Sequence, residues 1–147
     1  MYEIEAPQGR FEGKKFLFPV RIYYEDTDAG GVVYYANYLR YAERARTEFI
    51  RALGCDDQRE ALEEEDKFGF MVRGLTIDYK APAVLDDLLT VTCELVSVKG
   101  AAAEMKQEIY RGEQLLVSLE IKLAYVSYRR KRPHRIPSEL ALKASNC

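Results

Sequence analysis

The stretch Tyr24-Glu25-Asp26-Thr27-Asp28-Ala29-Gly30-Gly31-Val32-Val33-Tyr34-Tyr35-Ala36-Asn37-Tyr38 joins two different periodicities. Before it, Phe16, Phe18, Val20, Ile22 and Tyr24 alternate with Leu17, Pro19, Arg21 and Tyr23. That period of two predicts a strand, and Pro19 predicts an edge position or a bulge. After it, Tyr38, Ala42, Ala45, Phe49 and Ala52 recur at steps of four and three, which predicts a helix with those residues on one face. Asn37 is a suitable N-cap, the helix runs to about Leu53, and Gly54 is a natural residue just past its end. The connection crowds Glu25, Asp26 and Asp28 against Gly30 and Gly31. A carboxylate beside a helix N-terminus can attack a carbonyl, or activate water to do so, while the helix amides stabilise the oxygen. On spacing alone, a solvated acidic turn ahead of a capped helix is an equal reading.

Outside this stretch the chain is ordinary in ways that exclude several classes. Its 147 residues make one domain, 48% of them hydrophobic. A formal net charge of -2 and a pI near 5.6 carry no basic excess for nucleic acid. No apolar run is long enough for a membrane span, and the N-terminus lacks a signal-peptide core, so a cytoplasmic protein is expected. Cys55, Cys93 and Cys147 are odd in number and far apart, which suits free thiols in a reducing compartment. With His134 as the one histidine and no CxxC or HxxxH, no metal site is expected. GxSxG is absent, which disfavours a nucleophile-elbow hydrolase.

Residues 1–13 read as a loose N-terminal arm and residues 56–67 as an acidic, partly helical stretch whose run Glu63-Glu64-Glu65-Asp66 is a solvated face. After Gly69 the pattern turns to strands: Phe70 to Tyr79, Leu88 to Val98, Ala102 to Tyr110, and a long last one through Leu115, Val117, Leu119, Ile121, Leu123 and Tyr125. The tail from Arg129 is basic and aperiodic. A strand, a long helix with small residues on its apolar face and four antiparallel strands make an α+β domain, the helix wrapped by one curved sheet. The edges of such a sheet are stabilised by pairing with a second copy.

Arg21-Ile22, the run Glu25 to Tyr34, Asn37-Tyr38 and Glu43-Arg44-Ala45-Arg46 together resemble the hotdog-fold 4-hydroxybenzoyl-CoA thioesterase family, and within it the YbgC-type acyl-CoA thioesterases. Ile77-Asp78-Tyr79, Pro82, Asp86-Asp87-Leu88-Leu89 and Arg132-Pro133-His134-Arg135-Ile136-Pro137 extend the resemblance over about residues 16–140. It implies a hotdog, a helix wrapped by a five-stranded antiparallel sheet. It also implies a homodimer, commonly paired into a homotetramer, with active sites at the dimer interface and acyl-CoA as substrate. No cofactor is implied beyond the coenzyme A of the substrate. The family's catalytic aspartate falls on Asp28, Asp26 falls on an acidic neighbour without chemistry, and Tyr24 matches a tyrosine of the YbgC site. At Tyr35 the chain departs, since YbgC-type proteins usually have histidine there. The 4-hydroxybenzoyl-CoA branch has tyrosine and uses its backbone amide on the thioester oxygen.

These assignments give each residue a task. Asp28 is the nucleophile or general base, and the sequence leaves both open. The N–H groups of Tyr35 and Ala36 form the oxyanion hole, because the first amides of a helix lack internal partners. Gly30 and Gly31 permit unusual backbone angles and close approach of the substrate. Tyr24 and Tyr34 wall the site, or are buried strand tyrosines, the commoner case. Glu43 reaches the acyl pocket or is a surface residue. Lys80, Arg129, Arg130, Lys131 and Arg132 supply charge for coenzyme A phosphates, against the reading of a solvated tail. Phe49 and Phe70 belong to the core, and His134 to the surface. The rivals are a thioesterase acting on acyl carrier protein, a silent acyl-binding or scaffold module, and a hydratase, for which a paired active-site histidine is missing.

Overall fold

A computed structural model of the chain describes residues 1–54 and 67–141. Residues 56–66 of the acidic stretch, with Cys55 and Cys147, lie outside the described residues. The elements are β1 (Arg10–Glu12), β2 (Lys15–Arg21), a 3₁₀ turn (Tyr24–Asp26), α1 (Asn37–Ala52), β3 (Phe68–Tyr79), β4 (Leu88–Lys99), β5 (Ala102–Arg111), β6 (Gln114–Ser127) and β7 (Arg132–Pro133). One antiparallel sheet runs in the order β1-β2-β4-β5-β6-β3, and β7 pairs with β6. This is the expected hotdog, with α1 packed on β2 and β4.

The sheet has seven strands rather than five. The five expected ones, β2-β4-β5-β6-β3, are extended by two short pieces. β1 comes from the arm read as loose: Phe11 pairs with Phe16 across a hairpin and tilts its ring against Phe16 and Phe49, at centroid distances of 5.2 and 5.9 Å. β7 comes from the tail read as aperiodic, where Ile136 is buried and donates its N–H to Gly100 O. Pro19 lies beyond the reach of β1, which ends opposite Leu17, so its missing N–H faces an open edge.

The buried face of α1 is Tyr38, Tyr41, Ala42, Ala45 and Phe49. Tyr41 and Leu53 take part in the core, whereas Ala52 is exposed, because 3.6 residues per turn rotate the stripe away from position 52. Gly54 adopts φ +102, as its place past the helix end requires. Beneath α1, Gln107 is fully buried. Its amide donates to Ala42 O and Cys93 Sγ, and its Oε1 accepts from Arg46 Nη1. Burial pushes the Cys93 thiol up to about 12, Arg46 and Gln107 offsetting only part of it, so Cys93 is a neutral core residue.

The loop between β3 and β4 is the platform for residues 24–38. Asp87 Oδ2 accepts from Val84 N–H at 2.9 Å and from Arg111 Nη1 at 2.7 Å. Ile22 N–H donates to Asp87 O, and Asp86 N–H to Ile22 O. Val33 N–H reaches Ala83 O, and Ala83 N–H reaches the Tyr38 hydroxyl. Burial alone would raise the Asp87 pKa, but the Val84 amide and Arg111 together hold it below the usual carboxylate range. A depressed pKa stabilises the fold at neutral pH, and that contribution is lost as pH falls through the folded value. Asp87→Ala is therefore expected to cost about 1–2 kcal/mol at pH 7, the low end for a bond to a charged group because Arg111 is a third open to solvent. Urea melts from pH 7 downward check this: the gap between variant and wild type should narrow below about pH 4.

Candidate active site

Between β2 and α1 the chain folds back on itself. Asp28 N–H donates to Val32 O, Thr27 bridges Val33, and Tyr34 N–H donates to Asp26 O at 2.9 Å. The result is a small hairpin with Asp28 to Gly31 at its tip. Gly31 has φ +83, a conformation that glycine adopts without strain, and its N–H donates to Asp28 O. Gly30 is not left-handed. Its N–H donates to Asp28 Oδ1 at 2.8 Å, and a Cβ there would meet that same oxygen at 3.2 Å. Asp28 thus has one carboxylate oxygen anchored, while the residue as a whole is exposed.

Asn37 is the first helical residue and not the N-cap; Ala36 stands at the cap with no side-chain bond. The Asn37 amide instead donates from Nδ2 to Asp26 O at 2.9 Å, fastening the helix start to the base of the hairpin. Asp26 Oδ2 accepts from Tyr23 N–H at 2.8 Å. Tyr41, buried beneath, has a pKa raised first by burial and then by the Asp26 carboxylate, so it stays a neutral phenol. Asp26 is occupied with structure, and Asp28 is the carboxylate turned outward.

Next in the chain are the amides of Tyr35 and Ala36. Among the described residues neither N–H has an acceptor, as expected ahead of the first helical turn. Tyr24, Tyr34 and Tyr35 are exposed, at 81%, 47% and 62%, so the buried-tyrosine reading of Tyr24 and Tyr34 does not hold. Tyr34 tilts against Tyr35 at 5.0 Å, and Tyr35 stands edge-on to Tyr79 at 6.2 Å. Tyr79 went unassigned in the sequence. Its hydroxyl donates to Tyr35 O at 3.1 Å across 44 positions, a contact no local pattern announces.

Other assigned residues lie elsewhere in the protomer. Lys80, next to Tyr79, pairs with Asp78 at 2.9 Å. Glu43 is about 9 Å along the helix from Asn37 and accepts the Thr47 hydroxyl. It lies at the edge of an apolar cavity of about 250 Å³ whose walls include Arg46, Phe49, Phe70, Leu95 and Met105. Arg129 and Arg130 are in the turn after β6, at the Phe68 end of β3, far from Tyr79. His134 is exposed as expected, its ring edge-on to Phe68 at 4.7 Å. Among the described residues no three His, Cys, Asp or Glu side chains cluster as a metal site, and no helix is long and apolar enough to cross a membrane.

Residues 22–143, which hold the whole hairpin and helix, match the model of the thioesterase-like superfamily. The chain belongs to that superfamily. Within it, the acyl-CoA thioesterase YbgC of Haemophilus influenzae is 47% identical over 125 residues, covering 85% of this chain and 90% of that protein. A probable thioesterase from Bartonella henselae superposes with a TM-score of 0.71 at 36% identity, over 82% of this chain and 96% of that one. A 4-hydroxybenzoyl-CoA thioesterase mutant, solved with 4-hydroxybenzoyl-CoA, superposes with a TM-score of 0.80 over 90% of this chain and 99% of that one. At 18% identity, that likeness concerns the hotdog fold alone.

Proposed function

We propose that this chain is an acyl-CoA thioesterase that hydrolyses short-chain or aromatic acyl-CoA to the free acid and coenzyme A, with Asp28 as the reacting carboxylate. The observation that carries the reading is the pairing of an outward, half-anchored carboxylate with two unclaimed amides at the start of α1. Asp28 attacks the thioester carbon, or takes a proton from a water that does. The electron pair moves to the carbonyl oxygen, where the Tyr35 and Ala36 N–H groups receive it. Collapse breaks the C–S bond, and coenzyme A leaves as the thiolate. If Asp28 attacks directly, water then hydrolyses the mixed anhydride. Tyr24, Tyr34 and Gly31 border the reacting group, and the exposed tyrosines suit a flat or short acyl group. The 47% identity to an acyl-CoA thioesterase supports the choice of thioester.

The placement of the charges supports a homodimer. β3 has twelve residues, so its ends are about 35 Å apart. Tyr79 at one end touches Tyr35, while Arg129 and Arg130 lie at the other, too far to serve the same protomer's site. The outer edge of β3 is free among the described residues, and Met71, Val72 and Leu75 are exposed along it. Antiparallel pairing of β3 with a second copy sets the partner's Phe68 end, with its Arg129 and Arg130 turn, beside Tyr79 and Lys80. Those cations, with Lys80, then meet the coenzyme A phosphates. The partner's Glu43 and apolar cavity come to the same side, within reach of an acyl group. Two such dimers form the tetramer.

Thiol release across short, long and aromatic acyl-CoAs tests the activity. Asp28→Asn should lower kcat by about three orders of magnitude or more. Asp26→Asn should stay within about tenfold of wild type, because an asparagine oxygen still accepts the Tyr23 amide. A dead Asp26→Asn beside an active Asp28→Asn would reverse the assignment. Light scattering should give at least twice the 16.9 kDa chain mass at micromolar concentration; an active monomer there would remove the two-chain site.

A further inference from the structure

We infer that Tyr79 is a positioning residue for thioester hydrolysis: its hydroxyl fixes the Tyr35–Ala36 peptide plane and so aims the Ala36 amide at the reacting oxygen. The inference rests on the reading of Asp28 and the two free amides as the reacting site. In a helix the carbonyl of Tyr35 would accept from the amide four residues on, Leu39. Here Leu39 N–H turns to Ala36 O instead, at 3.2 Å, and Asn37 N–H goes to Tyr34 O. Tyr35 O is left with the Tyr79 hydroxyl as its acceptor bond among the described residues, at 3.1 Å.

A trans peptide is planar, with C=O and N–H pointing in opposite directions. Whatever holds Tyr35 O therefore sets the direction of Ala36 N–H. Ala36 already has helical angles, φ -72 and ψ -19, which direct its N–H out of the helix N-terminus. The remaining freedom is a rocking of the plane, and Tyr79 removes it. Tyr79 is itself well fixed. Its backbone pairs with Val117, and the next amide, Lys80 N–H, donates to Leu116 O at 2.8 Å. Its ring stands edge-on to Tyr38 at 5.7 Å, and Tyr38 is buried and tied to Ala83 N–H. Burial, and then Tyr35, raise the Tyr79 pKa, so the hydroxyl keeps its proton at neutral pH and remains a donor. A donor on the carbonyl also polarises the amide, so the N–H binds a developing oxyanion more strongly.

Tyr79→Phe removes the oxygen and keeps the ring packing. Removing an oxyanion donor outright costs about 100- to 1000-fold in kcat. Freeing its peptide plane should cost a part of that, about tenfold in kcat, with KM within about twofold. The direct readout is the infrared carbonyl stretch of an acyl-CoA bound to Asp28→Asn, which turns over too slowly to consume it. The red shift of that band on binding should shrink when Tyr79→Phe is added. A merely structural role would lower the melting temperature and leave the band in place. Wild-type kcat in Tyr79→Phe, a change confined to KM, or an unmoved carbonyl band would each overturn the inference while leaving the thioesterase reading intact. A wild-type protein that releases no thiol from any acyl-CoA would overturn both.

Discussion

The carbonyl oxygen of Asp26 is the point on which the site depends. It accepts the Tyr34 amide, which closes the hairpin, and the Asn37 side chain, which ties that hairpin to the first residue of α1. Two hydrogen bonds to one atom thus relate an exposed carboxylate two residues downstream to amides of the helix start that have no acceptor among the described residues. Each bond is worth about 1 kcal/mol net. Their value lies in geometry, because carboxylate and amides come from segments with no other reason to keep a fixed relation. The platform below is equally tied: Ala83 O accepts the Val33 amide, Ala83 N–H donates to the Tyr38 hydroxyl, and Asp87 O accepts the Ile22 amide.

Hydrogen-bond accounting separates structure from chemistry here. Asp26 spends its carboxylate and its carbonyl on the backbone and on Asn37. Asp28 spends one oxygen on Gly30. Among the described residues, Tyr35 and Ala36 spend neither amide. What a fold leaves unspent at a helix start, next to an exposed carboxylate, is what a substrate can use.

The helix and the four later strands were legible because their side chains obey a period that burial imposes. Phe16, Val20 and Ile22 fall inside as their alternation demands, and so do Ala42, Ala45 and Phe49. The departures arise where a contact is nonlocal. Asn37 looked like a cap, yet a carbonyl eleven positions earlier captured its amide. Phe11 looked like part of a loose arm, yet a hairpin through Gly13 brings its ring onto Phe49. Tyr24 and Tyr34 read either as walls of the site or, the commoner case for aromatic residues flanking a strand, as core tyrosines. The hairpin turns both outward. Asp28 and the two amides were assigned by the length and specificity of the motif from Glu25 to Tyr38, whereas Tyr79 was invisible, because its task depends on where β3 ends relative to Tyr35.

The central claim is that Asp28 performs chemistry and does not merely hold substrate. Calorimetric titration of intact acyl-CoA into Asp28→Asn tests it most directly. The account predicts saturable binding with a Kd within about threefold of the wild-type KM for that thioester, while the bound ligand is recovered unhydrolysed. Loss of binding together with turnover would contradict it, and would make Asp28 a residue that shapes the hairpin instead of one that reacts.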